Sequence, residues 1–222
     1  MSAGNSEAVR DLVVIGGSAG ALPALSKLLP ELEPNFPAPI IVVIHRGAGS
    51  SDLAGAIGRS SPLSVIEPQD HAELEPGCVY VAPFDCHVIA GGDHLHLRRG
   101  PRENGFRPSI DPLFRSAAVF LGHRTIGVIL SGYLDDGASG LRALKQCGGL
   151  AFVQDPAEAQ SPDMPRAAIS SVGEPDVVAG PAALGRALNR LAGTPASGRI
   201  EAPNDVKIEV LIAGLKEPSM SN

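Results

Sequence analysis

The sequence predicts an α/β fold, doubly wound around a mostly parallel sheet with an antiparallel hairpin, and three observations carry that expectation. Leu12-Val13-Val14-Ile15 and Ile40-Ile41-Val42-Val43-Ile44 are short apolar runs rich in β-branched residues. They lack polar alternation, the composition of strands covered on both faces. Between them Leu22, Leu25, Leu28, Leu29 and Leu32 recur at helical spacing over residues 21–32, which makes a strand-helix-strand unit. Further on, His87-Val88-Ile89-Ala90, a Gly91-Gly92-Asp93 turn and alternating His94-Leu95-His96-Leu97-Arg98 have the pattern of a hairpin, with Val79-Tyr80-Val81 just before it.

The remaining elements follow in order. Residues 51–58 read as a helix capped by Ser50 or Ser51, and Ser64 to Ile66 as a short strand. Residues 111–121 are helical, with Pro112 at an early position that helices accept. Thr125 to Leu130 is a buried strand, 140–146 a helix, and Leu150 to Val153 another strand. Residues 176–192 supply a closing strand and a helix over 182–191. From Gly193 to Asp205 the composition turns to Gly, Pro, Ser, Ala and Asn, a linker signature, and residues 206–215 form a short apolar tail segment of strand or helix. The expected division is a disordered lead at 1–10, a domain at 11–192, and a linker with tail at 193–222.

Composition narrows the function classes. With 44% apolar residues in a 222-residue chain there is ample material for a core, and a net charge of -6 argues against nucleic acid held by overall positive charge. Cys78, Cys86 and Cys147 are odd in number and lack C-x-x-C spacing, which fits free thiols in a reducing compartment. The N-terminal residues lack a signal-peptide pattern, and no apolar run reaches the roughly 20 residues of a membrane span. A cytoplasmic location without membrane insertion is expected. A basic stretch, Arg98, Arg99, Arg102 and Arg107, is the local exception to the acidic balance.

The first strand runs into Gly16-Gly17-Ser18-Ala19-Gly20. This matches the G-x-S-x-G elbow that presents a serine nucleophile on a sharp strand-to-helix turn, although glycine-rich turns also bind phosphates or simply pack tightly. His45 ends the second strand, and Ser131 to Gly137, with Asp135 and Asp136, follows the strand ending at Leu130. Ligands in open α/β sheets collect at the C-terminal ends of the strands. If the first strand lies between the other two, a serine, a base and a carboxylate converge there as in a nucleophile-base-acid triad. His45 could instead end a strand in a structural hydrogen bond, and either aspartate could cap the following helix. A dinucleotide fingerprint is disfavoured because Ser18 or Ala19 stands where its second glycine belongs, and the second strand ends in His45 rather than an acid. An α/β-hydrolase fits poorly, since there the acid precedes the histidine. His94 and His96 share a strand face without an evident third ligand and read as a solvated face, so neither a metal nor a cofactor is assigned.

Six ordered blocks resemble the catalytic domain of CheB-type chemotaxis receptor methylesterases. They are Val13 to Gly20, Ile41 to His45, Val79-Tyr80-Val81-Ala82-Pro83, Arg107 to Phe114, Gly127 to Gly132 with Asp136-Gly137-Ala138, and Met164 to Ile169. The resemblance implies Ser18 as nucleophile, His45 as general base and acid, and Asp136, in preference to Asp135, as the residue orienting the imidazole. It implies hydrolysis of glutamyl methyl esters with release of methanol, glutamine deamidation as a second activity, and the cytoplasmic helical region of methyl-accepting chemoreceptors as partner. A separate response regulator is left open as a further partner. Departures are Ala19 after the nucleophile, Gly20-Ala21 in place of a glycine pair, and Tyr133 where methionine is common, which touch substrate fit and the oxyanion site. Relatives typically carry a phosphoryl-accepting receiver domain before the catalytic one, whereas residues 1–10 precede the first strand here, so control by phosphorylation in cis is not expected. The basic stretch is a candidate docking surface for glutamate-rich receptor helices. Two other readings stay open: a non-catalytic signalling module of the same fold, and a carboxylester hydrolase with another substrate.

Overall fold

A computed structural model describes residues 8–45, 52–196 and 198–214. In chain order the strands are β1 (Leu12–Gly17), β2 (Ile40–Ile44), β3 (Ser64–Ile66), β4 (Cys78–Val81), β5 (His87–Ala90), β6 (Leu95–Arg98), β7 (Thr125–Ile129), β8 (Leu150–Gln154) and β9 (Val177–Ala179). The helices are α1 (Ala21–Leu28), α2 (Leu53–Gly58), α3 (Ile110–Phe120), α4 (Ala138–Gln146), α5 (Asp163–Val172), α6 (Pro181–Leu191) and α7 (Asn204–Ala213).

Seven strands form one parallel sheet in the order β3-β4-β2-β1-β7-β8-β9, while β5 and β6 make a separate antiparallel ribbon. β4, which sequence pattern grouped with the hairpin, pairs parallel to β2 and β3 and so belongs to the main sheet. Along β1 the side chains alternate between two cores. Leu12 and Val14 pack with Ile110, Phe114, Leu141 and Met164 under α3, α4 and α5, whereas Val13 and Ile15 pack with Leu25, Leu28, Leu184 and Leu188 under α1 and α6. Both faces are therefore buried, which is why β1 and β2 read as unbroken apolar runs.

β2 lies on one side of β1 and β7 on the other. The chain fills one half of the sheet and then crosses to the other, so the C-terminal ends of β1, β2 and β7 meet where the strand order reverses, the place where ligands gather in such sheets. Helix starts differ from expectation in one detail. Asp52 accepts from the Gly55 N–H at 2.7 Å and caps α2, while Ser50 and Ser51 lie outside the described residues. Residues 8–10, expected to belong to the lead, run antiparallel to the start of the expected linker: Gly193 N–H donates to Arg10 O at 2.7 Å and Ala196 N–H to Ala8 O at 2.7 Å. The tail segment is the helix α7, whose Val206, Val210 and Ala213 are buried.

Candidate active site

Three backbone hydrogen bonds set the strand ends in register. The His45 N–H donates to Gly17 O at 3.2 Å, Leu130 N–H to Gly16 O at 2.9 Å, and Ser18 N–H to Ser131 O at 2.9 Å. Ser18 therefore leaves β1 between the residues that end β2 and β7. The turn closes at Gly20, whose φ of 82° lies in the left-handed region that favours glycine, and a Cβ there would meet Ser131 Oγ at 2.5 Å. α1 begins at the next residue.

His45 and Asp136 are brought into direct contact: Nε2 lies 2.6 Å from Asp136 Oδ2, with both side chains almost fully buried. Asp135 next to it is exposed to solvent. Asp136 does not cap the helix that follows it. Its carboxylate instead reaches the N-terminus of α3, accepting from Ile110 N–H at 2.8 Å and Asp111 N–H at 3.1 Å, and from Ser109 Oγ and Asn104 Nδ2 at 2.8 Å each. Burial pushes the Asp136 carboxyl up, but the bond to His45, the imidazole charge, the Ile110 N–H and Asn104 outweigh it, and the group is held below the usual carboxylate range. An ionised carboxylate only accepts, so His45 Nε2 carries the proton and Nδ1 is left as the basic nitrogen. Nδ1 is buried and has no hydrogen-bond partner among the described residues, so no serine-histidine bond is closed on it.

Two residues not singled out in the sequence complete the surroundings. Phe106 stacks on the imidazole with ring centroids 3.7 Å apart and planes 8° from parallel, which dries one face of His45. Asn104, at φ 52°, bridges Asp136 Oδ1 and Asp111 Oδ2, the latter at 3.1 Å. Asp111 in turn accepts from Gly140 N–H at 2.7 Å in the first turn of α4. The starts of α3 and α4 are thus capped crosswise, each by a carboxylate from beside the other, where N-terminal N–H groups favour negative charge. Burial, and then the Asp136 charge, push the Asp111 carboxyl up to about 6.

Two open clefts flank the site, one of about 280 Å³ lined by Gly20, Pro23, Lys27 and Gln154, the other of about 410 Å³ lined by Asn104, Asp111, Ser139 and Arg142. Neither is lined by Ser18 or His45. Phe84, Tyr133 and Leu134 are exposed apolar side chains in the segments that follow β4 and β7, with Leu134 held at φ 61°. The expected basic docking surface is partly spent on the scaffold. Arg107 grips Asp85 through Nε at 3.0 Å and Nη2 at 3.1 Å and donates to Gly100 O at 2.8 Å, and Arg98 pairs with Asp70 at 2.9 Å. Among the described residues one group has metal-ligand character: atoms of Asp70, His71 and His96 lie within 4.8 Å of one another. It adds the further ligands that the sequence did not offer for His96. Asp70 is already held there by Arg98 and by Leu97 N–H at 2.8 Å.

Comparison with known proteins places the chain in a family. The model of the family described as CheB methylesterase matches residues 13–188. The chain belongs to the CheB methylesterase family. A Leptospira interrogans relative is 40% identical over 163 residues, covering 72% of this chain and 84% of that protein. The protein-glutamate methylesterase/protein-glutamine glutaminase 2 of Anaeromyxobacter dehalogenans is 42% identical over 160 residues, covering 72% of this chain but 47% of that protein. This chain spans about half of such longer CheB relatives. The crystal structure of the Thermotoga maritima CheB methylesterase catalytic domain superposes with a TM-score of 0.77 at 34% identity, covering 82% of this chain and 98% of that one. No described helix is long and apolar enough to cross a membrane.

Proposed function

We propose that this CheB-family chain is a cytoplasmic serine esterase that hydrolyses glutamyl methyl esters on the helical region of chemoreceptors, with glutamine deamidation as a second activity of the same site. The observation that carries the reading is the buried His45–Asp136 pair at 2.6 Å, whose Nδ1 has no partner among the described residues, at the strand ends where Ser18 follows β1. Ser18 Oγ attacks the ester carbonyl as its proton passes to His45 Nδ1. The tetrahedral intermediate expels methoxide, which takes that proton and leaves as methanol. Water then attacks the acyl-serine with His45 again as base, freeing the glutamate carboxylate and restoring Ser18. Asp136 stays ionised throughout and holds the imidazole tautomer. The Ser18 N–H already donates to Ser131 O and the Ala21 N–H to Ser18 O, so the oxyanion donors are sought among the other amides of the turn into α1.

The open clefts and exposed Tyr133 and Leu134 suit a substrate presented on a helix surface rather than a small molecule enclosed in a pocket. Methanol release from methylated receptor, wild type against Ser18→Ala, tests the proposal. Release is expected only from wild type, and equal release from both proteins overturns it.

A further inference from the structure

The C-terminal helix α7 lies beyond residue 188, where the family match ends. It packs on α3 and β5, with Val210 and Ala213 against Ile89 and Val119. It also reaches the loop that carries Asn104 and Phe106, directly at Gly100 and through Arg115 of α3 further along. Near the loop's beginning Gly100 sits so close to α7 that a Cβ there would lie 2.6 Å from Ala213 O. Further along, a single buried guanidinium spans the gap. Arg115 donates from Nη2 to Glu103, its Nη1 lies 3.9 Å from the Asp111 carboxylate, and its Nε lies 3.1 Å from the Glu209 carboxylate on α7. The Nε–H is not aimed at Glu209, so this last contact is an ion pair rather than a hydrogen bond.

Glu103 is one residue from Asn104 and closes a small loop with Phe106: Glu103 N–H donates to Phe106 O at 3.2 Å and Phe106 N–H to Glu103 O at 2.8 Å. The loop so closed carries the amide that bonds Asp136 and the ring that stacks on His45. A shift of Glu103 therefore moves both contacts together.

We propose that Arg115, clamped by Glu209 of α7, is a positioning residue that seats the 103–106 loop on the His45–Asp136 pair, so that α7 is a strut for the active site; this rests on the esterase reading above. With the clamp intact Arg115 has carboxylates from three segments around it and is fixed. Without Glu209 it is free to follow Glu103 outward, and Asn104 and Phe106 leave with it.

The test compares wild type, Glu209→Ala and Glu209→Asp on an activated small ester, which takes no docking surface, and follows amide hydrogen exchange in the same proteins. Glu209 is half-exposed, so the variants should fold, and thermal melts verify this. Glu209→Ala should lower kcat roughly tenfold with KM within about twofold, as expected when reacting groups lose their positioning. Glu209→Asp, which keeps the charge, should restore most of it, and the Glu103 and Phe106 amides should lose protection in the alanine variant alone. In an Asn104→Ala background the Glu209→Ala step should cost little more, because the two act through one loop. Unchanged kcat and exchange, or losses that multiply independently of Asn104, overturn the proposal. If wild type hydrolyses no ester, the functional reading fails, and the exchange result alone decides whether α7 seats the loop.

Discussion

Asp136→Asn is the perturbation that the geometry constrains most tightly. Five donors converge on the carboxylate: Oδ2 accepts from His45 Nε2 and Ile110 N–H, and Oδ1 from Ser109, Asn104 and Asp111. An amide can accept on one side only. Turned so that its NH₂ replaces Oδ1, it faces the Asn104 amide and the Asp111 N–H. Turned the other way it faces the Ile110 N–H and His45; either turn orphans one backbone donor, but the imidazole can change tautomer to accept from the new NH₂ whereas the Asn104 NH₂ can only donate, so this is the better orientation. The orphaned N–H costs about 1–3 kcal/mol, and losing the charge at the start of α3 costs about 0.5–2 kcal/mol. Relief of repulsion with Asp111 offsets part of this, so a net loss of about 2–3 kcal/mol in unfolding free energy is expected. The same orientation moves the His45 proton from Nε2 to Nδ1, because Nε2 must now accept from the amide. The base is then lost, and esterase kcat should fall about 10³- to 10⁴-fold, the scale known for an aspartate-to-asparagine change in serine-protease triads. Denaturant unfolding and ester hydrolysis measure the two effects on one preparation. Asp135→Asn, at an exposed carboxylate, is the control and should stay within about twofold of wild type. An Asp136→Asn protein that turns over within tenfold of wild type would refute the assignment of His45 and Asp136 as base and orienting acid.

Three further outcomes are expected. Asp111 has its pKa raised from 3.8 to about 6. Its folded form therefore holds a proton that the unfolded chain has lost between those values, and stability attributable to it falls as pH rises through that window. The unfolding free energy of Asp111→Asn minus that of wild type should increase between pH 4 and pH 7, by up to about 3 kcal/mol at 1.36 kcal/mol per unit; denaturant midpoints across that range measure it, and a flat difference contradicts the assignment. Leu134→Asp, which places a charge on an exposed apolar side chain near Asp136, should raise KM for methylated receptor severalfold and spare a small ester; parallel kinetics on the two substrates separate docking from chemistry. Phe106→Ala removes the ring stacked 3.7 Å from the imidazole and should lower kcat on a small ester about tenfold, since a hydrated histidine is less well held for proton transfer; steady-state kinetics decide it.

The strands and helices that were legible in the sequence are those whose environment is uniform along their length. β1, β2 and β7 are buried on both faces, so their apolar runs needed no partner to be recognised. β4 was harder, because Cys78-Val79-Tyr80-Val81 carries no sign of whether its neighbour runs parallel or antiparallel; pairing is decided by β2 and β3, far away in the chain. α5 was seen only as a block of resemblance. It opens Asp163-Met164-Pro165, and a proline in a first turn looks like a break unless the missing N–H is known to need no partner there.

The site divides along the same physical line. Ser18, His45 and Asp136 each stand just beyond a buried strand, so chain position alone suggested that they meet. Asn104 and Phe106 come from a loop whose sequence, Arg102-Glu103-Asn104-Gly105-Phe106, says only that it turns; Asn-Gly signals left-handed backbone, and Asn104 at φ 52° and Gly105 at φ 80° adopt it. What the local pattern lacks is the reason for the turn. The loop is fixed by Arg115 on α3, by Asp111 across from α4 and by Asp85 through Arg107, partners that converge only when the sheet has folded. A residue that follows a strand is placed by that strand, whereas Asn104 and Phe106 are placed by charges that lie outside their own loop. That is why the proposed reacting groups could be picked out from the chain, and why the residues proposed to hold them in position could be found only in the fold.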